Sequence, residues 1–198
     1  MDAAEKICHS FLRGQVIPRY SQDIWQVERG VLQLRSHTPE GAVTVLGWLQ
    51  KGSFWGSFMT KLEGIEAIAL VDSRLVRHSA KAVKQSPSLQ QELLQQTLQR
   101  LRQAEYLLAI AGLKRIEDRL ISLLLLLKDE MGKSEATITR LRYRFTHQHL
   151  ADTIGTTRVT VTRLFKEFQQ QGWLKIDGDR HILLLDNPQG DRLPLPRL

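Results

Sequence analysis

Within LADTIGTTRVTVTRLFKEF, residues 150–168, five side chains have types and spacing suited to chemistry on a polyanion. Arg158, Val159, Thr162, Arg163 and Lys166 recur at intervals that bring them to one side of a helix. That side carries three cations, a hydroxyl and a valine, and the acid Glu167 is expected to lie off it. An arginine can fork onto guanine O6 and N7, a threonine can reach a base or a phosphate, and a valine on a wet face suits a thymine methyl. Two readings stand side by side: a solvated basic helix, and a recognition helix that enters a DNA major groove.

Local propensity argues against a helix here, because Thr156, Thr157, Val159, Thr160, Val161 and Thr162 are all β-branched. The apolar spacing argues for one. Leu150 and Ile154 are four apart, and Val161, Leu164, Phe165 and Phe168 continue at helical intervals. Gly155 reads as a left-handed stop, and a threonine of the following pair reads as the next N-cap. The result is helix, turn of about three residues, helix. After it, GWLKIDGDRHILLLD places two β-type runs, 173–176 and 181–185, around Asp177-Gly178-Asp179, a hairpin signal. A helix-turn-helix followed by a hairpin is a winged helix. The tail NPQGDRLPLPRL is Pro-rich and reads as irregular.

The remaining chain must carry this unit. It has 198 residues, 42% hydrophobic, enough for one or two cored domains, and its net charge of +7 favours a polyanionic partner. Residues 14–78 hold β-rich runs punctuated at Arg29-Gly30, Thr38-Pro39-Glu40-Gly41 and Lys51-Gly52-Ser53, which predicts a small sandwich or barrel. From Pro87 the texture becomes helical. Leu94, Leu101 and Leu108 recur every seven residues, with Thr97, Ala104 and Ala111 three further on. That seam suits a coiled-coil dimer; a helix packed on its own domain is the alternative. A second helix is predicted over 114–131, with Ile116, Leu120, Leu123, Leu124 and Leu127 as its core. Its leucine run is about eight residues, against the roughly twenty a membrane span needs. The N-terminus opens acidic without an apolar run, so no signal peptide is expected and the chain reads as cytoplasmic. Cys8 stands alone, which excludes a disulfide or a cysteine-ligated cluster within one chain. His147 and His149, at i and i+2, lie about 200° apart on a helix and would not share a metal.

THQHLADTIGTTRVTVTRLFKEFQQQGWLKI resembles the helix-turn-helix of the cyclic-AMP receptor and fumarate–nitrate regulator family. The matching residues are Leu150-Ala151, Gly155, Thr156-Thr157, Arg158, Thr160-Val161 and Arg163. TRVTVTRL is most similar to the nitrogen-control regulators of cyanobacteria, where valine replaces the commoner glutamate. The resemblance implies an α+β chain: a shortened cupin-like, cyclic-nucleotide-binding-like β-roll over 1–86, a dimerisation helix over 87–112, and a winged helix over 113–198. It implies a homodimeric transcription regulator, not an enzyme, on a near-palindromic operator, in contact with RNA polymerase. Arg158 and Arg163 would read bases, with Thr162 and Lys166 on the same face, and Val159 would tune the half-site. Thr157 and Thr160 would hold phosphates, and His147 and Gln148 would touch the DNA backbone. The dimer seam would be Leu94, Leu101, Ala104, Leu108 and Ala111.

The effector cassette departs from the pattern. In KGSFWGSFMTKLEGIEAIALV, Ser57 follows Gly56 where cyclic-AMP binders carry Glu, and Glu66 falls near the place of a phosphate-holding Arg. An acid facing a phosphate is repulsive, so cyclic AMP is not expected. Arg100 and Glu105 match helix positions used for 2-oxoglutarate, which leaves that effector open beside the expectation of no cofactor. Candidate effector residues are therefore Arg100, Glu105, Gly56 and Ser57. His37 or His78 as haem ligands, a metal-dependent cupin-type enzyme and a protein-binding winged helix are the competing readings. No H-x-H precedes residue 147, and a protein-binding module has no need of the Arg158/Arg163 pair.

Overall fold

The computed structural model describes residues 8–38, 41–135 and 137–185. The Pro-rich tail, and most of the N-terminal stretch on which the expectation of no leader rests, lie outside the described residues. Contacts divide the chain into two units, Met1–Ala104 and Glu105–Leu198, with the boundary inside the long helix α2 (Pro87–Gly112).

The first unit is built on two antiparallel sheets. One orders β1 (Cys8–Phe11), β8 (Ser73–Ser79), β3 (Asp23–Arg29) and β6 (Phe54–Gly56). The other orders β2 (Val16–Ile17), β7 (Ile65–Ala69), β4 (Leu32–His37) and β5 (Val43–Leu49). Alternation supplies the core: Trp25 and Val27 of β3 point inward with Leu32, Leu34, Leu49, Trp55, Ala67 and Leu75. Ile24, the residue before Trp25, points the other way and joins Phe54 and Val83. Val83 belongs to α1 (Ala80–Gln85), and Leu89 and Leu93 of α2 pack on the same cluster. Thus β3 is buried on both faces, and the second face seats the start of α2. Ser86 Oγ accepts the Leu89 N–H, and Pro87 follows at the first helical position, so the helix begins where both signals place it.

A bulge makes the second attachment. Leu34 lies opposite Gly47 and Arg35 opposite Val45, so Leu46 is the extra residue of β5. The outer edge of β5 is then capped from α2. Arg100 Nη1 donates to the Leu46 carbonyl at 2.9 Å, and Gln103 Oε1 accepts the Trp48 N–H at 2.8 Å. These side chains blunt an open sheet edge. The backbone favours glycine at position 47: its φ is 131°, which L side chains rarely adopt, and a Cβ there would also push aside the ends of Gln103 and Arg100.

In the second unit α3 (Ile116–Met131) buries Leu120, Ile121, Leu123, Leu124 and Leu127. Ile116, expected in this core, is only partly buried, and Ile121 and Leu126 are enclosed instead. The predicted hairpin forms as β11 (Leu174–Ile176) with β12 (Ile182–Leu185). It is half of a four-stranded sheet, because β12 also pairs with β10 (Ile138–Leu141), and β10 with β9 (Gly132–Glu135). The turn differs from the Asp-Gly expectation. The left-handed residue is Arg180, with φ 63°, not Gly178. Asp177 explains it: its N–H donates to His181 O, its carbonyl accepts the Arg180 N–H, and its carboxylate takes the His181 N–H at 2.8 Å and Arg140 Nε at 2.6 Å. These contacts hold the longer loop closed.

Gly47→Ala should destabilise the protein by about 2 kcal/mol, from backbone strain and displaced Arg100 and Gln103 side chains. Urea unfolding measures it; an unchanged midpoint would show that the bulge is not what seats the helix.

Candidate nucleic-acid interface

Two helices joined by a short turn position the candidate residues. The first, α4 (His147–Ile154), opens on Thr146, whose Oγ1 accepts the His149 N–H at 3.1 Å while His149 Nδ1 accepts the Thr146 N–H. It closes at Gly155, in the left-handed conformation at φ 67° and ψ 51°. The Ile154 carbonyl exposed by that stop accepts Arg119 Nη1 from α3 at 3.2 Å, and Arg119 Nε also donates to Leu113 O. The second, α5 (Arg158–Gln170), begins on Thr157, the second of the threonine pair. Its Oγ1 accepts the Thr160 N–H at 3.2 Å. Leu150, Ala151 and Ile154 of α4 and Val161, Leu164, Phe165 and Phe168 of α5 are all buried. The residues that argued for helices over strands therefore form the core of this unit.

That packing turns the opposite side of α5 outward. Arg158, Val159, Thr162, Arg163 and Lys166 line one shallow depression, and Val159 is 78% exposed. Thr157 and Thr160 stand at the helix N-terminus with their hydroxyls 2.9 Å apart, where free backbone N–H groups and the helix dipole favour an anion. Gln148 donates to Asp152 at 2.6 Å and is exposed on α4. Glu167 is not among the residues lining the depression, but it reaches the edge of the patch: its Oε1 accepts Arg163 Nη1 at 2.5 Å, an i, i+4 pair along the helix. His147 reaches across from α4, its Nδ1 2.8 Å from Thr162 Oγ1 and its ring centroid 4.5 Å from that of Phe165. Burial, and secondarily the Arg158 charge, hold the His147 imidazole below its usual range.

The dimer-seam candidates all lie on the outside of α2. Leu94, Leu101 and Leu108 are 61%, 54% and 75% exposed, and Ala104 and Ala111 are exposed beside them. The effector candidates do not converge. Arg100 lines a small cavity of about 40 Å³ with Trp48, Ser53, Phe54, Gln96 and Gln103. Gly56 and Ser57 are not among its lining residues. Ser57 Oγ donates to Tyr20 O at 2.9 Å, and Gly56 is buried, where an added Cβ would lie 3.2 Å from Asp23 O. Glu105 is exposed. Glu66 pairs with Arg35 and lies 2.7 Å from His37 Nε2. Burial opposes its ionisation, but these two partners outweigh burial and leave it below the usual carboxylate range. Sequence reasoning missed Gln103 and Arg119. Both act on backbone carbonyls or N–H groups far along the chain, which leaves no spacing signal. His149, weighed as a metal ligand, is a capping residue. Among the described residues no group of three His, Cys, Asp or Glu side chains could hold a metal, and no helix is long and apolar enough to cross a membrane.

A β-sheet unit, a long helix and a winged helix-turn-helix with a basic outer face define a DNA-binding regulator. Residues 118–189 match the Crp-like helix-turn-helix domain. The chain is 32% identical over 169 residues to the regulatory protein CysR of Synechococcus elongatus, across 83% of this chain and 78% of that one. It is also 32% identical over 96 residues to the global nitrogen regulator of Synechocystis sp., covering 48% of this chain and 43% of that one. A solved CRP/FNR-family transcriptional regulator from Thermus thermophilus superposes with a TM-score of 0.71, at 26% identity, over 91% of this chain and 94% of that one. The chain belongs to the Crp/Fnr family, and it is a transcription regulator with DNA as its partner.

Because His147 is held below the ordinary histidine value of 6.5, the folded state favours its neutral form. The stability this contributes is present above pH 6.5 and is lost as pH falls through the depressed value. Urea unfolding at about pH 7.5 and about pH 5 should show the loss, and His147→Phe should reduce it. Equal slopes in both proteins would assign the pH dependence elsewhere.

Proposed function

We propose that the chain works as a homodimer in the cytoplasm. Each copy places α5 in the major groove of one half of a near-palindromic operator, and the bound dimer contacts RNA polymerase. The observation that carries this is the outer face of α5: three cations around an exposed valine and a hydroxyl, with every apolar residue needed for packing already on the other side. In this arrangement Arg158 and Arg163 fork onto guanines, Val159 meets a thymine methyl, and Lys166 neutralises phosphate. Thr157 and Thr160 present the helix N-terminus to the DNA backbone, with Gln148 beside them on α4. Half-sites lie about one helical turn apart, roughly 34 Å.

The exposed leucines of α2 support the dimer. Four large apolar side chains, Leu94, Leu98, Leu101 and Leu108, stand on the outside of one helix at heptad-type spacing, with Ala104 between the last two and Ala111 three residues beyond Leu108. An isolated protein gains by burying such a row against its own copy. We also propose that DNA binding needs neither cyclic AMP nor 2-oxoglutarate. Arg100, the one candidate that lines the cavity, already donates to the Leu46 carbonyl. Gln103 closes over the Trp48 N–H, and Glu66 sits between Arg35 and His37.

Purified protein, with no small molecule added, should select a near-palindromic duplex from a random pool, and neither compound should change its affinity. Arg158→Ala and Arg163→Ala should each cost about 1–3 kcal/mol on that duplex and relax base preference, whereas Lys166→Ala should lower the salt slope by about one. Intact affinity in both arginine variants would show that another surface reads the DNA. In sedimentation, Leu101→Asp should convert the dimer to monomer; a dimer that persists would move the interface off α2.

A further inference from the structure

The hydroxyl of Thr162 sits on the outer face of α5, and its hydrogen bonds restrict what it can recognise. Its single proton goes to the Arg158 carbonyl at 2.9 Å. His147 Nδ1 lies 2.8 Å from the same oxygen. With that proton already placed, the contact can form only if Nδ1 carries the hydrogen and donates. A half-buried ring set at a tilt against Phe165 and held below the usual histidine range suits the neutral Nδ1–H tautomer. Thr162 then keeps one lone pair toward the depression it lines with Arg158, Val159, Arg163 and Lys166. The threonine rotamer, which otherwise divides between two wells in a helix, is fixed from both sides.

We infer that Thr162, aimed by His147, is an acceptor-only reader that selects an exocyclic amine at one position of each half-site. This rests on the placement of α5 in a major groove. The only major-groove donors are adenine N6 and cytosine N4; guanine N7 and O6 and thymine O4 are acceptors and would meet the lone pair unfavourably. The selected position is therefore adenine or cytosine on one strand. His147 is a positioning residue. In its neutral tautomer Nε2 is a bare acceptor, unsuited to donating to a phosphate, so its contribution passes through Thr162.

The test is selection from a random duplex pool by the wild type and by Thr162→Val, His147→Phe and His147→Asn. The wild-type pool should hold one half-site position restricted to adenine or cytosine. Thr162→Val and His147→Phe should relax that position, while the arginine-dependent positions stay selected. His147→Asn, whose amide nitrogen can replace Nδ1–H, should retain the preference. In the selected duplex, replacing that adenine by purine, or that cytosine by 2-pyrimidinone, removes only the amine. It should weaken the wild type about tenfold and Thr162→Val not at all. A selective wild type whose pool Thr162→Val leaves unchanged, or a relaxed position that prefers guanine or thymine, overturns the inference alone. A wild type that selects no sequence overturns the placement of α5 and the inference with it.

Discussion

The apolar stripe of α5 against α4 is the contact on which the outer face depends. Val159, Thr160, Val161 and Thr162 each cost a few tenths of a kcal/mol in a helix relative to the best formers, about 1–2 kcal/mol together. Burial of Val161, Leu164, Phe165 and Phe168 returns about 1.5–3 kcal/mol apiece. Packing therefore wins over propensity by a wide margin, and the β-branched residues are free to serve the outer face. The balance is also directional. Rotating α5 by a half turn would expose the phenylalanines and bury Arg163 and Lys166. The same packing that forms the helix thus fixes which residues it offers outward. Gly155 and Thr157 complete the constraint, because one ends α4 in a conformation that costs other residues about 1–2 kcal/mol and the other starts α5 two residues later.

A comparable dependence runs through the first unit. The bulge at Leu46 turns a carbonyl away from the ladder, and Arg100 takes it. The next outward N–H, of Trp48, is taken by Gln103. An edge strand and a helix are thereby joined through backbone groups rather than through interchangeable apolar contacts. This bears on regulation. A small anion entering the cavity would have to displace Arg100 from a hydrogen bond of charge-assisted strength, typically about 1.5–3 kcal/mol. An unliganded pocket with a free guanidinium would bind such an anion without that penalty.

How much was legible follows from where each feature stores its information. The helix-turn-helix was readable because its signal is local and redundant: spacing, a glycine stop and a threonine cap agree within 20 residues or so. The exposed seam of α2 was readable as a heptad for the same reason. Strands β9 and β10 were not. GKSE and ITRL carry little alternation; β10 takes its place in the sheet from pairing with β12, more than 40 residues on, and β9 takes its place from β10. The wing turn was half readable. Asp177-Gly178 marked the reversal, but the left-handed residue is Arg180, because the Asp177 carboxylate and the Arg140 contact close a longer loop. Ser57 and Gly56 were aligned to an effector cassette by resemblance, and the structure engages Ser57 with Tyr20 instead.

Glu167 changes the electrostatic reading without defeating it. Its carboxylate cancels part of the charge that the sequence assigned to the face, so the long-range attraction to DNA rests more on Arg158 and Lys166. The pair it makes with Arg163 is exposed and one turn apart, the kind worth at most about 1 kcal/mol and usually less. A bidentate contact from the same guanidinium to guanine is worth about 1–3 kcal/mol. On the proposed placement of α5 in a major groove, Arg163 would therefore leave Glu167 for a matching base at a net gain. On a mismatched base it keeps its intramolecular partner and adds little. An acid beside an arginine so placed would lower non-specific affinity more than specific affinity, and so raise the contrast between the two. On that placement, the carboxylate that subtracts charge from the outer face of α5 would sharpen its selectivity.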